Sequence, residues 1–305
     1  MKLLRLAILQ AMVLILFYTA TFSNPRSGFF LPDSVNEMTL RYRTIKNLIV
    51  LPVIINDSIR VNLILDTGCR NLVLFGKRFQ KLLKHNPDKQ IQFSGLGSGK
   101  PVHGFLSLFN KVSIQEVLGE SIPVIVVPSK NLLSFYNDIH GVIGYDIFVK
   151  FEIELDPRTE TITFRPAARA IPPVGYSQIP LRIVDSRPVM NSEILLKADK
   201  NRKFELMIDT GSSLGLLLKT TNMDDYDYNA SLKVIGIGFN GPISGYKTTS
   251  DQLHLEGFDF FDLPTGVIES PWHNYASIGM EVLKDYVLVL NYCRAYACLK
   301  KIYKV

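Results

Sequence analysis

The chain has 305 residues, of which 47% are hydrophobic and 20% are charged. This composition suffices for one large domain or two ordinary ones with packed cores, and it excludes a disordered chain. The net charge of +6 is mild and no basic cluster is interleaved with aromatic residues, so nucleic-acid binding is not expected.

The first residues have the composition of an export signal. Lys2 and Arg5 precede an apolar run from Leu6 to about Tyr18, and small residues follow. This pattern predicts a signal peptide over residues 1–23 and a secreted or periplasmic protein. The alternative is an uncleaved membrane anchor, because the apolar stretch approaches the shortest length that spans a bilayer. Residues 24–40 would then form an N-terminal arm.

An internal repeat is the strongest feature of the sequence. The segment Leu63–Cys69, which contains Asp66-Thr67-Gly68, recurs as Leu206–Ser212, which contains Asp209-Thr210-Gly211. Each copy is an apolar strand that runs into a tight turn and is followed by a second apolar run. A repeat of this kind decides the architecture of a chain.

Further matches follow in the same order, although the displacement between the copies drifts from 143 residues to 141 and then to 135. The downstream residues Gly95, Gly97, Pro101, Gly104 and Phe105 correspond to Gly236, Gly238, Pro242, Gly245 and Tyr246, and Val142-Ile143-Gly144 corresponds to Ser277-Ile278-Gly279. The duplication predicts two similar units, residues 41–166 and 175–305. Prolines in the stretch Arg165–Val174 should prevent a strand ladder there, so we place a linker at residues 167–174.

Short β-branched segments separated by turn signals predict a mainly β fold. The expected turns are Asn56–Ser58 and Asp199–Asn201, the expected short helices are Lys77–Lys84 and Asn131–Tyr136, and the expected closing hairpins are Phe151–Leu155 with Thr161–Phe164 and Tyr286–Leu290 with Ala297–Ile302. Cys293 and Cys298 flank the last turn. In an exported protein they could form a disulfide, and the alternative is two reduced cysteines.

The two aspartates suit general acid–base chemistry. Two carboxylates that share one proton can activate a water molecule and also protonate a substrate oxygen or leaving amine. The residues expected to support this pair are Thr67, Gly68, Thr210, Gly211 and Ser212. We further expect the hydroxyl of Ser212 to donate a hydrogen bond to Asp209, whereas the thiol of Cys69 would be a weaker donor to Asp66. Asp209 would then be the ionised partner.

The paired Asp-Thr-Gly turns, each after three apolar residues, resemble the active-site turns of the aspartic peptidases, and the short repeated units are most similar to the retropepsin-like branch. The resemblance covers about residues 41–305, with departures at Cys69, Arg70 and Ser277. It implies an all-β fold of two homologous β-barrel lobes related by a pseudo-twofold axis, as in exported bacterial-type enzymes. It also implies an aspartic endopeptidase with Asp66 and Asp209 as catalytic residues, a peptide or protein substrate, and no metal or other cofactor.

Two alternatives remain beside that interpretation. A catalytically weak or inactive peptide-binding module would keep the same fold. A protein that works only as a homodimer is less expected, because one chain already contains both halves, so a monomer is predicted.

Glycine-rich segments are candidates for mobile flaps over the site, because glycine allows backbone movement. The candidates are Gly95, Gly97, Gly99, Gly104, Gly236, Gly238, Gly241 and Gly245. The alternative is a pair of ordinary glycine-rich turns. Gly236–Gly241 also matches a dinucleotide-binding fingerprint, but Pro242 follows where a helix should begin, so a nucleotide site is not expected. The five histidines show no metal-ligand spacing.

Overall fold

The structure of the protein, a computed structural model, describes residues 27–84, 89–128, 138–196, 200–221, 232–255, 257–270 and 275–303. This part of the chain consists mostly of β-strands with a few short helices, so the expected all-β class is confirmed. The predicted signal peptide and the predicted helix at Asn131–Tyr136 lie outside the described residues. Among the described residues, no helix has the length and apolar character needed to cross a membrane.

The first half of the chain, up to Pro166, contributes most of its strands to one large sheet around the first Asp-Thr-Gly turn. Its elements are β1 (Gly28–Phe30), β2 (Met38–Arg41), β3 (Arg43–Ile45), β4 (Leu48–Ile55), β5 (Ile59–Leu65), β6 (Leu72–Phe75), α1 (Lys77–Leu82), β7 (Gln90–Phe93), β8 (Val102–Ile114), β9 (Val117–Val127), β10 (Gly141–Ile143), α2 (Tyr145–Phe148), β11 (Phe151–Asp156) and β12 (Thr161–Pro166). The sheet order is β1-β9-β6-β10-β5-β4-β8-β7, with β3 beside β4. Strand β10 lies parallel to β5 and antiparallel to β6, between the strands that flank Asp66.

The second half, from Ser177, repeats that arrangement around Asp209. Its elements are β13 (Ser177–Pro180), β14 (Arg182–Val184), β15 (Arg187–Leu196), β16 (Lys200–Asp209), β17 (Leu216–Thr220), β18 (Lys233–Gly238), β19 (Gly241–Leu255), β20 (Phe258–Glu269), β21 (Ala276–Gly279), α3 (Met280–Leu283), β22 (Tyr286–Asn291) and β23 (Tyr296–Lys301). The sheet order is β14-β15-β16-β21-β17-β20-β19-β18. Strand β21 lies parallel to β16 and antiparallel to β17, as β10 does between β5 and β6.

A third sheet combines strands from both halves. Its order is β13-β23-β22-β11-β12-β2, and its centre is an antiparallel pairing of β11 with β22. The two closing hairpins expected from the sequence therefore lie side by side in one ladder. Because backbone hydrogen bonds join them, the two halves have a fixed relation at this sheet.

The strands next to the two aspartates are buried on both faces, which explains their uninterrupted apolar sequences. All four residues of β6 and all five of β17 are buried. One hydrophobic core contains Leu63 and Leu65 of β5 together with Leu206 and Ile208 of β16. Each Asp-Thr-Gly turn thus follows a strand that is held firmly by packing.

The segment before Arg41 is part of the sheets. Strand β1 pairs with β9 at the edge of the first sheet, and β2 pairs with β12 in the shared sheet. At the other end of the first half, Arg165 and Pro166 still belong to β12, and Pro166 is paired with Phe151. The expectation that Arg165–Val174 forms no ladder was wrong for these two residues, because proline is tolerated where a strand ends.

The disulfide between Cys293 and Cys298 is not formed, and both thiols are free. The last hairpin closes between Asn291 and Tyr296, which leaves Cys293 exposed in the turn and Cys298 buried opposite Val289. Two cysteines can be bridged only when their Cβ atoms face one another. Close spacing in sequence was therefore misleading here, because the two residues occupy different levels of the hairpin.

Candidate active site

The two aspartates occupy equivalent places at the ends of buried strands. Asp66 follows β5, and its backbone N–H donates to the carbonyl oxygen of Ile143 at 2.9 Å. Asp209 is the last residue of β16 and is paired with Gly279 of β21. Within each turn the glycine N–H donates to the carboxylate two residues earlier, from Gly68 to Asp66 at 2.7 Å and from Gly211 to Asp209 at 3.1 Å.

Reciprocal hydrogen bonds between Thr67 and Thr210 join the two turns. The Thr67 hydroxyl donates to the carbonyl oxygen of Ile208 at 2.6 Å and accepts the Thr210 N–H at 3.0 Å. The Thr210 hydroxyl donates to the carbonyl oxygen of Leu65 at 2.8 Å and accepts the Thr67 N–H at 3.1 Å. Both threonines are fully buried. Each hydroxyl therefore satisfies a buried donor and a buried acceptor, and the network is complete on both sides.

This network brings the carboxyl groups of Asp66 and Asp209 to one place. A methyl group added at Gly68 would lie 3.1 Å from Oδ1 of Asp66 and 3.4 Å from Oδ1 of Asp209. A Cβ atom at Gly211 would lie only 2.2 Å from Cγ of Asp66. Glycine is required at position 211, because a side chain there would collide with the aspartate of the other half.

The electrostatics of the pair favour one shared proton. Burial, followed by the negative charge of Asp209, raises the pKa of Asp66 to about 7. Burial also raises the pKa of Asp209, but the ammonium group of Lys219 opposes this increase. Two neighbouring carboxyl groups out of water cannot both ionise easily. The positive charge of Lys219 therefore favours Asp209 as the ionised member of the pair.

The hydroxyl of Ser212 does not take the role predicted from the sequence. Its oxygen accepts a hydrogen bond from the Leu214 N–H at 3.3 Å, whereas the backbone N–H of Ser212 contributes to lowering the pKa of Asp209. The thiol of Cys69 is directed away from the pair and donates to the carbonyl oxygen of Asn71 at 3.2 Å. The predicted hydrogen bonds from these two side chains to the aspartates are therefore wrong, because each side chain bonds to the backbone of its own loop.

Two basic residues near the carboxyl groups were missed. Nε of Arg187, at the start of β15, donates to the carbonyl oxygen of Gly68 at 3.2 Å, and its charge lowers the pKa of both aspartates. Lys219 lies in β17 and is only 6% exposed. Lys219 could have been found from the sequence, because a lysine directly after Leu216–Leu218 falls within a buried strand. Arg187 could not, because only the tertiary fold brings it to Gly68.

The candidate flap glycines lie on two β-hairpins, one from each half. Gly95, Gly97 and Gly99 lie in the loop between β7 and β8, while Gly236 and Gly238 belong to β18 and Gly241 begins β19. Gly104 and Gly245 lie within the paired strands, opposite Ile91 and Lys233. These last two are therefore not at the tips. The dinucleotide-like segment Gly236–Gly241 lies in a hairpin, with no helix following it.

The two hairpins contact one another through Asn240. Its Oδ1 accepts the Gly97 N–H at 2.7 Å, and its Nδ2 donates to the carbonyl oxygens of Gly97 at 2.7 Å and Gly99 at 3.0 Å. A Cβ atom on Gly99 would lie 1.9 Å from the Asn240 carbonyl oxygen. Glycine is needed here for close backbone approach rather than for the backbone freedom expected from the sequence. Phe239 also packs against Phe75 and Phe93.

Among the described residues, no group of three or more His, Cys, Asp or Glu side chains is placed to hold a metal ion. The arrangement instead offers two buried carboxyl groups and two nearby cations. This is the constellation that suits acid–base activation of a water molecule.

Comparison with known proteins agrees with this geometry. Residues 51–147 match the family model described as aspartyl protease. The matched segment contains the first Asp-Thr-Gly turn and ends before the second. It confirms the resemblance to the retropepsin-like aspartic proteases and indicates, at the level of the family, a hydrolase that acts on peptide bonds. No curated protein matches the chain.

The threonine network predicts a specific stability difference at position 210. Thr210→Ala removes one buried donor and one buried acceptor, so the free energy of unfolding should fall by roughly 1–3 kcal/mol. Thr210→Ser keeps the hydroxyl and should retain most of the stability. Urea unfolding of both variants measures the difference, and equal losses in the two would show that the hydroxyl is not what holds the turns together.

The raised pKa of Asp66 predicts how stability depends on pH. In the native state Asp66 keeps its proton up to about pH 7. An unfolded aspartate has a pKa of about 3.9 and has lost its proton well below that pH. The native state therefore binds more protons in this window, and its free energy of unfolding falls as the pH rises from about 4 to about 7. Asp66→Asn should flatten this decline and be more stable than the wild type above pH 7.

Thermal unfolding across that pH range tests the prediction, with Asp57→Asn as a control in an exposed turn. Profiles of Asp66→Asn and Asp57→Asn that decline in parallel would contradict the raised pKa.

The contact between the hairpins predicts local protection from hydrogen exchange. Asn240→Ala removes three hydrogen bonds to Gly97 and Gly99, and the Gly97 amide should exchange about tenfold faster or more. Ser244→Ala, at an exposed position of the same hairpin, should leave the rate unchanged. Hydrogen–deuterium exchange followed by NMR measures both, and unaltered protection in Asn240→Ala would show that the tips are held by other contacts.

Proposed function

We propose that the protein is an aspartic endopeptidase in which Asp66 and Asp209 hydrolyse a peptide bond between two lobes related by a pseudo-twofold axis. The observation that carries the proposal is the reciprocal bonding of Thr67 and Thr210, which gathers two carboxyl groups from separate halves around one point. The family match over residues 51–147 supports the same conclusion for the first turn. The lobes would comprise residues 41–166 and 175–305.

The chemistry follows from the unequal environments of the two carboxyl groups. Asp209, near Lys219, acts as the base and takes a proton from a water molecule whose oxygen attacks the peptide carbonyl carbon. Asp66 gives its proton to the carbonyl oxygen, which forms a tetrahedral diol. As the C–N bond breaks, Asp209 passes its proton to the leaving amine and a diol hydroxyl returns a proton to Asp66. The pair thus regains its starting state without a metal or cofactor.

The substrate would be an extended peptide between the carboxyl groups and the two hairpins. Strands β7, β8, β18 and β19 lie beside this space and can pair with the backbone of such a chain. The hairpin tips are joined through Asn240, so they must separate to admit a long peptide. Closed again, they would keep bulk water from the reacting bond.

We further propose that the protein works outside the cytoplasm as a monomer. Residues 1–23 have the composition of an export signal, and one chain supplies both aspartates. If the signal is not removed, the protein would be held at a membrane by this segment.

The decisive experiment is cleavage of a mixed peptide library at mildly acidic pH by the purified protein and by Asp66→Asn and Asp209→Asn. Each substitution should reduce cleavage by at least about a thousandfold, because neither carboxyl group can replace the other. A statine-type inhibitor should block the wild type, and Asp57→Asn should retain its activity. Activity should also fall above about pH 7 as Asp66 loses the shared proton.

Two results would contradict the proposal. Cleavage that survives in both aspartate variants would belong to another site or to a contaminant. A wild-type protein that binds peptides without cutting any of them would instead be a peptide-binding module with the same fold.

A further inference from the structure

The two strands that follow the aspartates have directly comparable positions. In the first half Val73 of β6 pairs with Val142, and in the second half Leu217 of β17 pairs with Ser277. Phe75 and Lys219 each lie two residues further along. Phe75 pairs with Val127 of the parallel strand β9, and Lys219 pairs with Ile268 of the parallel strand β20. Lys219 therefore occupies in the second half the position that Phe75 occupies in the first.

Both positions lie on the side of their strand that packs against the hairpin of residues 233–255. Side chains alternate along a strand, and Leu216 and Leu218 belong to the main core. Leu217 belongs to a separate cluster with Ile235 and Ile243 of the β18–β19 hairpin. Lys219, two residues after Leu217, lies on the same face of β17. This face is turned toward the β18–β19 hairpin, which in the proposed function covers the peptide.

The two sides of the cleft differ in chemistry. We call Val73, Phe75 and Val142 the Phe75 wall; they form one apolar cluster, and Phe239 of the opposite hairpin packs against it. The equivalent residues Leu217, Lys219 and Ser277 form the Lys219 wall. Lys219 occupies the position of Phe75, and Ser277 occupies the position of Val142. Polar groups are therefore present on the Lys219 wall and not on the Phe75 wall.

The ammonium group of Lys219 lacks a close anionic partner. Its Nζ lies 4.9 Å from the ring centroid of Tyr275. In the described part of the chain it makes no hydrogen bond or ion pair, although the side chain is nine-tenths buried. Burial lowers the pKa of Lys219, the negative charge of Asp209 opposes this decrease, and the positive charge of Arg187 adds to it. Burial of an ammonium group is unfavourable unless hydrogen bonds and a counter-charge compensate it.

A bound carboxylate would supply what this lysine lacks. It offers acceptor oxygens and an opposite charge, and charge-assisted hydrogen bonds are the stronger kind. The Phe75 wall offers only apolar contacts and would exclude the same group. We propose that the Lys219 wall binds a carboxylate of the substrate, while the Phe75 wall binds an apolar side chain. This rests on the proposed peptidase function and specifies its substrate class.

The test uses peptide pairs that differ only by Glu or Gln at one position, scanned on both sides of the cleaved bond. A second set has either a free or an amidated C-terminus, which distinguishes a side-chain carboxylate from a terminal one. For wild-type protein, one position or the free terminus should favour the carboxylate about ten- to a hundredfold in kcat/KM. In Lys219→Met this preference should disappear, whereas Lys219→Arg should keep most of it.

Lys203→Met, which removes an exposed lysine, should leave the preference intact. An unchanged preference in Lys219→Met overturns the proposal. So does an equal loss of kcat/KM for the Glu and Gln peptides, since Lys219 would then act through Asp209 rather than on the substrate.

Failure of the peptidase function gives a separate result. If the wild type cuts no peptide, calorimetric binding of the same pairs to the wild type and to Lys219→Met still decides whether the carboxylate is recognised. Equal affinity for the Glu and Gln peptides in that experiment overturns the carboxylate site, and a Glu preference that depends on Lys219 supports it.

Discussion

The reciprocal hydrogen bonds between Thr67 and Thr210 are the constraint on which the candidate site depends. Each threonine hydroxyl is fully buried and bonds to the backbone of the opposite half. A buried polar group left without a partner is costly, so neither turn can move away alone without leaving the other unsatisfied. The two aspartates beside these threonines consequently keep a fixed distance, although they come from strands far apart in the chain.

Similar backbones support different side-chain environments in the two halves. Strands β10 and β21 lie in the same way between their neighbours, yet Lys219 lies near Asp209, whereas Phe75 occupies the corresponding position in the first half. The backbone repeat sets where the two carboxyl groups lie. The side chains around them then shift the two pKa values unequally, because Lys219 opposes the raised pKa of Asp209.

Much of the fold could be predicted from the sequence, because it depends on local patterns. Apolar runs predicted the strands next to the aspartates, and the repeat predicted that both halves would be built alike. Features that depend on contacts between residues far apart in the sequence could not be predicted. Arg187 reaches Gly68 only after folding, and the partners of Ser212 and Cys69 are set by the course of their loops. The choice between a disulfide and two free thiols at Cys293 and Cys298 could not be made from the sequence, because spacing along a hairpin does not state which residues face one another.

The contact between the hairpins shows what a single polypeptide makes possible. By the spacing of the repeat, Asn240 corresponds to Gly99, and the amide of the former bonds to the backbone of the latter. Two identical subunits would carry the same residue at both places. Either two asparagines would compete for one space, or two glycines would leave no amide to bond. Joining both halves in one gene removes that restriction, so a bulky residue and the gap that receives it can evolve at symmetry-related positions.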